Sequence, residues 1–339
     1  MNYTELHAAA DGQLGPYCRN CPVCNGKACG IAMPGPGSKY PGTAAPKNFE
    51  AWQNVRLKMD TFNANCEPDM SFELFGHMFK TPVFAAPIGG MNLHYGDKYN
   101  DYEYNSILLK AAAEYGSLAF TGEAVDHGVM KKAVDDIDAL GGIGCPTMKP
   151  WGKETLFKKL DYIKSKNVFA VAMDIDAAGL PLLRALNTDA GGKSVEQMKE
   201  IIDYAEIPFI IKGIMSVEGA EKAVEAGAAA IVVSNHGGRV FGCGPATAEV
   251  LPYIADAVKG KIKIIVDGGI RRGEDVFRAL ALGADCVLIG RPVVNALYGS
   301  AEEGLKILMD KIAYELRDTM FMCGVKSIKE ISGANIWSY

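Results

Sequence analysis

No stretch of the 339-residue chain comes near the roughly 20 consecutive apolar residues that a membrane-spanning helix needs. Basic residues are not in excess either. With 35 Lys and Arg against 40 Asp and Glu the net charge is -5, so no surface for neutralising nucleic-acid phosphates is expected. The opening, MNYTELHAAADGQLG, has neither a basic start nor an apolar core, and a secretory signal is not expected. HExxH, Walker A and GxSxG patterns are all missing, which removes support for metalloprotease, P-loop and esterase chemistry. Hydrophobic residues at 49% and charged residues at 22% exclude disorder, collagen-like repeats and a disulfide miniprotein. A globular cytoplasmic chain is the expectation.

What the chain has in quantity is glycine, 38 residues, many of them just after short β-branched runs. Apolar runs of strand length occupy residues 82–87, 118–121, 142–146, 168–174, 209–212, 230–234, 262–267 and 286–290. Between them, as in 194–205, 216–226 and 273–282, apolar residues recur at three- and four-residue spacing, the pattern of an amphipathic helix. Strands alternating with helices make βαβ units and a parallel sheet. Eight such units over about 240 residues predict an α/β fold, a (β/α)8 TIM barrel. Residues 1–80 break this rhythm. They begin Gly- and Pro-rich and carry a cysteine cluster, and MSFELFGHMFKTPVFAAP then reads as two short strands turning at Gly76. The predicted organisation is an N-terminal extension with a barrel-plugging hairpin (1–80) on one barrel with a C-terminal helix (81–339).

Barrel enzymes place their chemistry at the C-terminal strand ends, often with phosphate held after strands seven and eight. Strand seven runs into DGGIRRGEDVF and strand eight into GRPVV. Asp267, Gly268 and Gly269 turn the backbone there, and the helix starting near Gly273 presents its positive end. Arg271 and Arg291 add charge-assisted donors, so a phosphate-bearing ligand is expected. Strand six ends in SNHGGR. His236 can exchange a proton near neutral pH, and Arg239 can grip a carboxylate with two parallel bonds. Lys212 closes strand five, where it can stabilise a developing negative charge. His94 and His127 follow strands one and two, positions from which a side chain can line the same mouth. His7 and His77 are expected to be structural.

The run IKGIMSVEGAEKAVEAGAAAIVVSNHGGR, followed by PAT and by VDGGIRRGEDVFRALALGADCVLIGRP, resembles the FMN-dependent 2-hydroxy acid oxidase and dehydrogenase family. That family includes glycolate oxidase and lactate oxidase. The resemblance is close over residues 210–294 and looser over the rest of 46–331. It implies FMN as cofactor and oxidation of a small 2-hydroxy acid to the 2-oxo acid, or the reverse. It further implies that His236 removes a substrate proton as the hydride equivalent moves to flavin N5. Arg239 would hold the substrate carboxylate, and Lys212 would stabilise the reduced ring. Ala86, Pro87, Ile88, Thr121 and Ser234 fall at flavin-contacting positions. Asp267, Gly269, Arg271, Gly290 and Arg291 fall at phosphate-binding ones. In MDIDAAG, Asp176 matches the carboxylate that orients the histidine, and Asp174 a flavin-contacting threonine. A two-residue shift would give the orienting role to Asp174. The family also implies a homo-oligomer, tetrameric or larger.

The departures from the family lie on the substrate side. GLPLLRAL stands where a second substrate-binding arginine is expected, with Arg184 shifted from that place. CPTMKPW replaces a QLY stretch, and no N-terminal substrate tyrosine is identifiable. These changes leave room for an FMN-dependent isomerase or reductase as the alternative, and for a non-catalytic flavin- or metal-binding protein behind it.

Nine cysteines complete the inventory. Cys18, Cys21, Cys24 and Cys29 are spaced C-x2-C-x2-C-x4-C, and in a cytosolic chain such a cluster points to a metal or redox site. Its first three members match the start of a bacterial ferredoxin pattern, and the fourth comes one residue late. A [4Fe-4S] cluster, a four-cysteine zinc site and unmetallated thiols all fit this spacing. An iron–sulfur centre would let reduced flavin pass electrons to a carrier protein instead of oxygen. The other five, Cys66 included, are expected in the core.

Overall fold

The computed structural model describes residues 1–33, 35–64, 67–186 and 189–337, with the side chain of Arg184 outside that set. Cys66 lies outside the described residues. Two strands, β1 (Phe72–Leu74) and β2 (His77–Phe79), form an antiparallel hairpin across Phe75 and Gly76. Eight more form one parallel sheet: β3 (Val83–Ala85), β4 (Phe120–Thr121), β5 (Cys145–Met148), β6 (Val171–Asp174), β7 (Phe209–Ile214), β8 (Ala230–Val233), β9 (Lys263–Val266) and β10 (Cys286–Ile289). The strand order is β3-β10-β9-β8-β7-β6-β5-β4, and a parallel bridge between Ala85 and Ala119 joins the two ends. The sheet is thus a closed (β/α)8 TIM barrel.

Seven strands fall inside the runs expected from sequence or overlap them closely. The exception is β5, expected over 142–146. Residues 141–144 still belong to the turn leaving the preceding helix, where the Gly142 N–H bonds to Ile137 O at 2.8 Å. The strand therefore starts at Cys145 and carries Lys149 to the barrel mouth.

Successive strand residues face opposite sides of a sheet. Phe84, Phe120, Cys145, Ala172, Ile210, Val232, Ile265 and Leu288 fill the barrel interior. Their neighbours Ala85, Ala119, Met173, Ile211, Val233, Val266 and Ile289 pack outward against the helices. Stepping on with the same period, the inward layer at the mouth is Ala86, Gly122, Lys149, Asp174, Lys212, Ser234, Asp267 and Gly290. Phe72, Leu74 and Phe79 of the hairpin join the interior cluster, with the Phe79 ring 4.8 Å from that of Phe84. Removing a phenylalanine of this size from water contributes about 2 kcal/mol.

Helices predicted from periodicity occur at Val195–Ala205, Val217–Glu225 and Gly273–Ala281. Arg291–Met322 is a longer helix, interrupted at Ser300 and Ala301. Among the described residues no helix is long and apolar enough to cross a membrane. Cys145, Cys286 and Cys323 are buried as expected, whereas Cys243 is exposed, because it lies in the turn beyond the loop that carries His236.

Candidate active site

The loops at the mouth are braced by the helix Ala44–Asn54, which belongs to the N-terminal extension. Asn48 and Asn235 exchange side-chain bonds of 2.7 and 2.9 Å, and the Asn48 amide oxygen accepts the Thr247 N–H. Trp52 Nε1 donates to Gly268 O at 2.7 Å. The buried face of this one helix thus fixes the loops after β8 and β9 together. His236 sits in the left-handed region at φ 55°. A non-glycine residue held there reflects constraint by its surroundings.

His236 Nδ1 lies 3.1 Å from Asp176 Oδ1, so the structure pairs the histidine with Asp176. Asp174 is engaged elsewhere. Its carboxylate meets Lys149 Nζ at 2.9 Å and Lys212 Nζ at 3.0 Å. Burial opposes ionisation of Asp174, but the two ammonium groups outweigh it and hold its pKa well below the usual carboxylate range. Burial likewise opposes the charge of Lys212, and Asp174 and Asp267 overcome it, raising the lysine pKa. Asp267, 3.8 Å from Lys212, is itself shifted upward, chiefly by burial.

These groups border a cavity of about 470 Å³ at the barrel mouth. Ala86, Pro87, Ile88, Asp174, Lys212, His236, Arg239, Asp267, Gly269, Arg271, Gly290 and Arg291, all singled out from sequence, line it. Thr121 and Ser234 do not, contrary to expectation. Thr121 directly follows the inward-facing Phe120 and so falls on the helix side of the sheet; Gly122 takes the inward place. Ser234 is inward but fully buried, and its hydroxyl accepts the His236 N–H at 3.1 Å. Asp176 acts on the cavity through His236 and does not line it.

Two charged lining residues were not singled out from sequence, Lys149 and Glu123. Lys149 lies in CPTMKPW, the segment that departs from the family, and Glu123 follows β4. Glu123 accepts the Lys149 N–H at 2.7 Å and Trp151 Nε1 at 2.9 Å, and it also binds Lys159 Nζ. CPTMKPW is therefore a differently anchored turn that delivers a cation. His94, expected at the mouth, lines the cavity from the short helix Met91–Tyr95. Its counterpart His127 is largely exposed, its ring 4.9 Å from Trp151, and does not line the cavity.

The arginines expected to bind anions meet carbonyls of the extension. Arg239 donates to Gly35 O, Arg291 Nη2 to Pro36 O at 2.6 Å, and Arg271 Nε to Cys24 O at 2.7 Å. The cavity suits FMN in charge and shape. At one end it has Arg271, Arg291 and the tight turn of Gly268 and Gly269, where a Cβ on Gly269 would stand 2.3 Å from Asn48 O. Along its wall Asp267 Oδ1 is buried without a hydrogen-bond partner among the described residues, an acceptor facing a ligand that carries hydroxyls.

Cys18, Cys21, Cys24 and Cys29 are all half-buried, free thiols. Burial and the neighbouring cysteines raise the Cys18 pKa to about 11. A tetrahedral zinc with bonds of about 2.3 Å would draw its sulfurs to about 3.8 Å from one another. Among the described residues, the one group of three or more His, Cys, Asp or Glu whose ligand atoms lie within 4.8 Å of each other is Asp174, Asp176 and His236. Within that group Asp174 is paired with Lys149 and Lys212, and Asp176 with His236.

The sequence pattern of the family described as FMN-dependent dehydrogenase matches residues 37–181 and 185–338. A peroxisomal (S)-2-hydroxy-acid oxidase of Oryza sativa subsp. japonica is 42% identical over 86% of this chain and 86% of its own length. A peroxisomal (S)-2-hydroxyacid oxidase of Arabidopsis thaliana is 44% identical over 149 residues, 44% of this chain but only 40% of that relative. The crystal structure of a putative lactate oxidase of Pediococcus acidilactici superposes with a TM-score of 0.79 at 28% identity, covering 100% of this chain and 95% of that one. With the barrel, the motif residues and the cavity they share, the chain belongs to the FMN-dependent dehydrogenase family and is an FMN-dependent oxidoreductase related to the 2-hydroxy acid oxidases.

Proposed function

We propose that the chain oxidises a 2-hydroxy acid with an apolar side chain to the 2-oxo acid. The observation that carries this is the His236–Asp176 pair, 3.1 Å apart, beside Arg239 on a cavity that Arg271 and Arg291 also line. Asp267, Gly269, Gly290, Arg271 and Arg291 would hold the FMN phosphate and ribityl chain, with Ala86, Pro87, Ile88 and the Lys149–Asp174–Lys212 group along the ring. FMN, when bound, supplies the acceptor for the hydride equivalent leaving the substrate C2. His236 takes the hydroxyl proton, and Asp176 fixes the ring and stabilises its positive charge afterwards. Arg239 orients the carboxylate, and Lys212 offsets the negative charge that accumulates. Met33, Leu93, Leu180, Leu182 and Leu183 wall the same cavity and suit an apolar substituent. An anaerobic absorbance titration with a panel of 2-hydroxy acids tests the reading. Bleaching by an apolar member supports it; a flavin untouched by all of them overturns it in favour of an isomerase or reductase. In His236→Ala the flavin should remain while turnover falls by about 1,000-fold or more.

We also read the four clustered cysteines as an iron–sulfur site on the strength of their C-x2-C-x2-C-x4-C spacing. Cys24 O bonds to Arg271, which joins the cysteine loop to the phosphate end of the cavity and suits electron exit toward a carrier protein. Anaerobic purification with iron and sulfide analysis decides it: neither element bound would sink the reading. The free thiols are in keeping with a cytoplasmic setting. Exposed Phe62, Phe241 and Tyr253 are in keeping with a homo-oligomer of four or more chains, measurable by light scattering. Residues 1–80 are taken as an extension on the barrel of 81–339.

A further inference from the structure

His94 is held in an arrangement that an uncharged imidazole cannot satisfy. Its Nδ1 faces the Gly35 N–H at 3.0 Å, and its Nε2 faces Arg239 Nη2 at 2.9 Å. Both neighbours are obligate donors, whereas a neutral imidazole has one acceptor and one N–H. Protonating the ring would worsen the conflict, and its surroundings oppose it: burial, with Arg239 adding to it, lowers the His94 pKa to about 3. His236 and Lys149 add smaller repulsions of the same sign. Among the described residues the Gly35 N–H has no other acceptor, so Nδ1 is the acceptor and Nε2 carries the proton. Nε2–H and Arg239 Nη2, 2.9 Å apart on the cavity lining, are then two donors that cannot bond to each other. The ring is held in place by its helix, whose first N–H groups, Gly90 and Met91, bond to Asp101 Oδ1 at 2.6 and 3.3 Å.

A carboxylate oxygen that accepted from both, the two side chains parting to admit it, would relieve this contact between donors. We propose that His94 is a substrate-binding residue that, with Arg239, holds the carboxylate of the 2-hydroxy acid, in place of a second cation. This rests on the function proposed above and adds a selectivity to it. One full charge and one neutral donor match a monocarboxylate.

The test uses the oxidised holoenzyme and pyruvate as probe, with binding followed by the change in flavin absorbance. His94→Leu should weaken pyruvate binding and raise KM by about 10- to 100-fold, the loss of one hydrogen bond to a charged group, with kcat within about threefold. His94→Gln, which keeps an N–H donor, should recover most of the binding. Pyruvate affinity unchanged in His94→Leu overturns the proposal, as does equal impairment in both variants, which would mark a packing role. Should His94→Leu lose its flavin, His94→Ala and His94→Gln are compared in the same way. Wild-type flavin bleached by no 2-hydroxy acid would sink the function while leaving pyruvate binding to decide the role of His94.

Discussion

Lys149 Nζ stands 2.9 Å from Asp174 Oδ2, the second cation on a carboxylate that Lys212 already meets at 3.0 Å. The three groups are nearly or fully buried, so each depends on the others for its charge. Lys149→Met leaves Asp174 with one cation and should cost about 2 kcal/mol of stability in denaturant unfolding. Asp174→Asn added to it should restore part of that loss. Independent, additive effects would show that the two side chains are not coupled.

Asp176 touches the chemistry only through His236. Asp176→Asn should lower kcat about 100- to 1,000-fold while FMN content stays that of the parent, since Asp176 does not line the cavity. Flavin content is read from the absorbance of the purified protein. Wild-type turnover in this variant would remove Asp176 from the mechanism.

The position of His94 predicts how stability changes with pH. Its pKa falls from 6.5 to about 3 on folding, so between those values the unfolded chain binds a proton that the folded one refuses. Its contribution is complete above pH 6.5 and is lost as pH falls toward 3. From pH 6.5 to 5 this group should remove about 2 kcal/mol, at about 1.4 kcal/mol per pH unit. Denaturation midpoints for the parent should fall across that range by more than those for His94→Gln. Parallel curves would contradict the burial described for the ring.

Gly122 occupies the inward place after β4, where an added Cβ would lie 2.0 Å from Ile88 O. That contact is with backbone and cannot be relieved by rotating a side chain. Gly122→Ala should therefore displace the Ala86–Pro87–Ile88 stretch and reduce FMN occupancy, with a stability loss of about 3 kcal/mol or more. Full FMN loading in Gly122→Ala would refute the close packing.

What could be read from sequence followed from how strongly each segment advertises its period. The runs ending in Lys212, Ser234, Asp267 and Gly290 are continuous apolar strands followed by Gly-rich turns, so both strand and mouth residue were legible. The run around Cys145 mixes glycine and proline, and ending it at Pro146 hid Lys149. The same two-residue alternation that exposes Lys149 also separates Thr121 from Gly122. His94 could be placed near the mouth, but its contacts come from Gly35 and Arg239, distant in sequence, and no local pattern encodes them. The spacing of Cys18 to Cys29 groups four thiols within a dozen residues without naming what they bind.

The alternating register of the barrel also governs what kind of change the chain can absorb. One residue inserted into β6 ahead of Asp174 would reverse the parity of that strand, turning the carboxylate toward the helices and Met173 toward the mouth. An insertion beyond the strand, as in the segment after Gly179, changes no parity. Length variation is thus confined to the loops, while the groups facing the cofactor can change only by substitution at eight fixed places. Lys149 and Asp174 occupy two adjacent ones, where their opposite charges meet with Lys212 on the other side of the carboxylate.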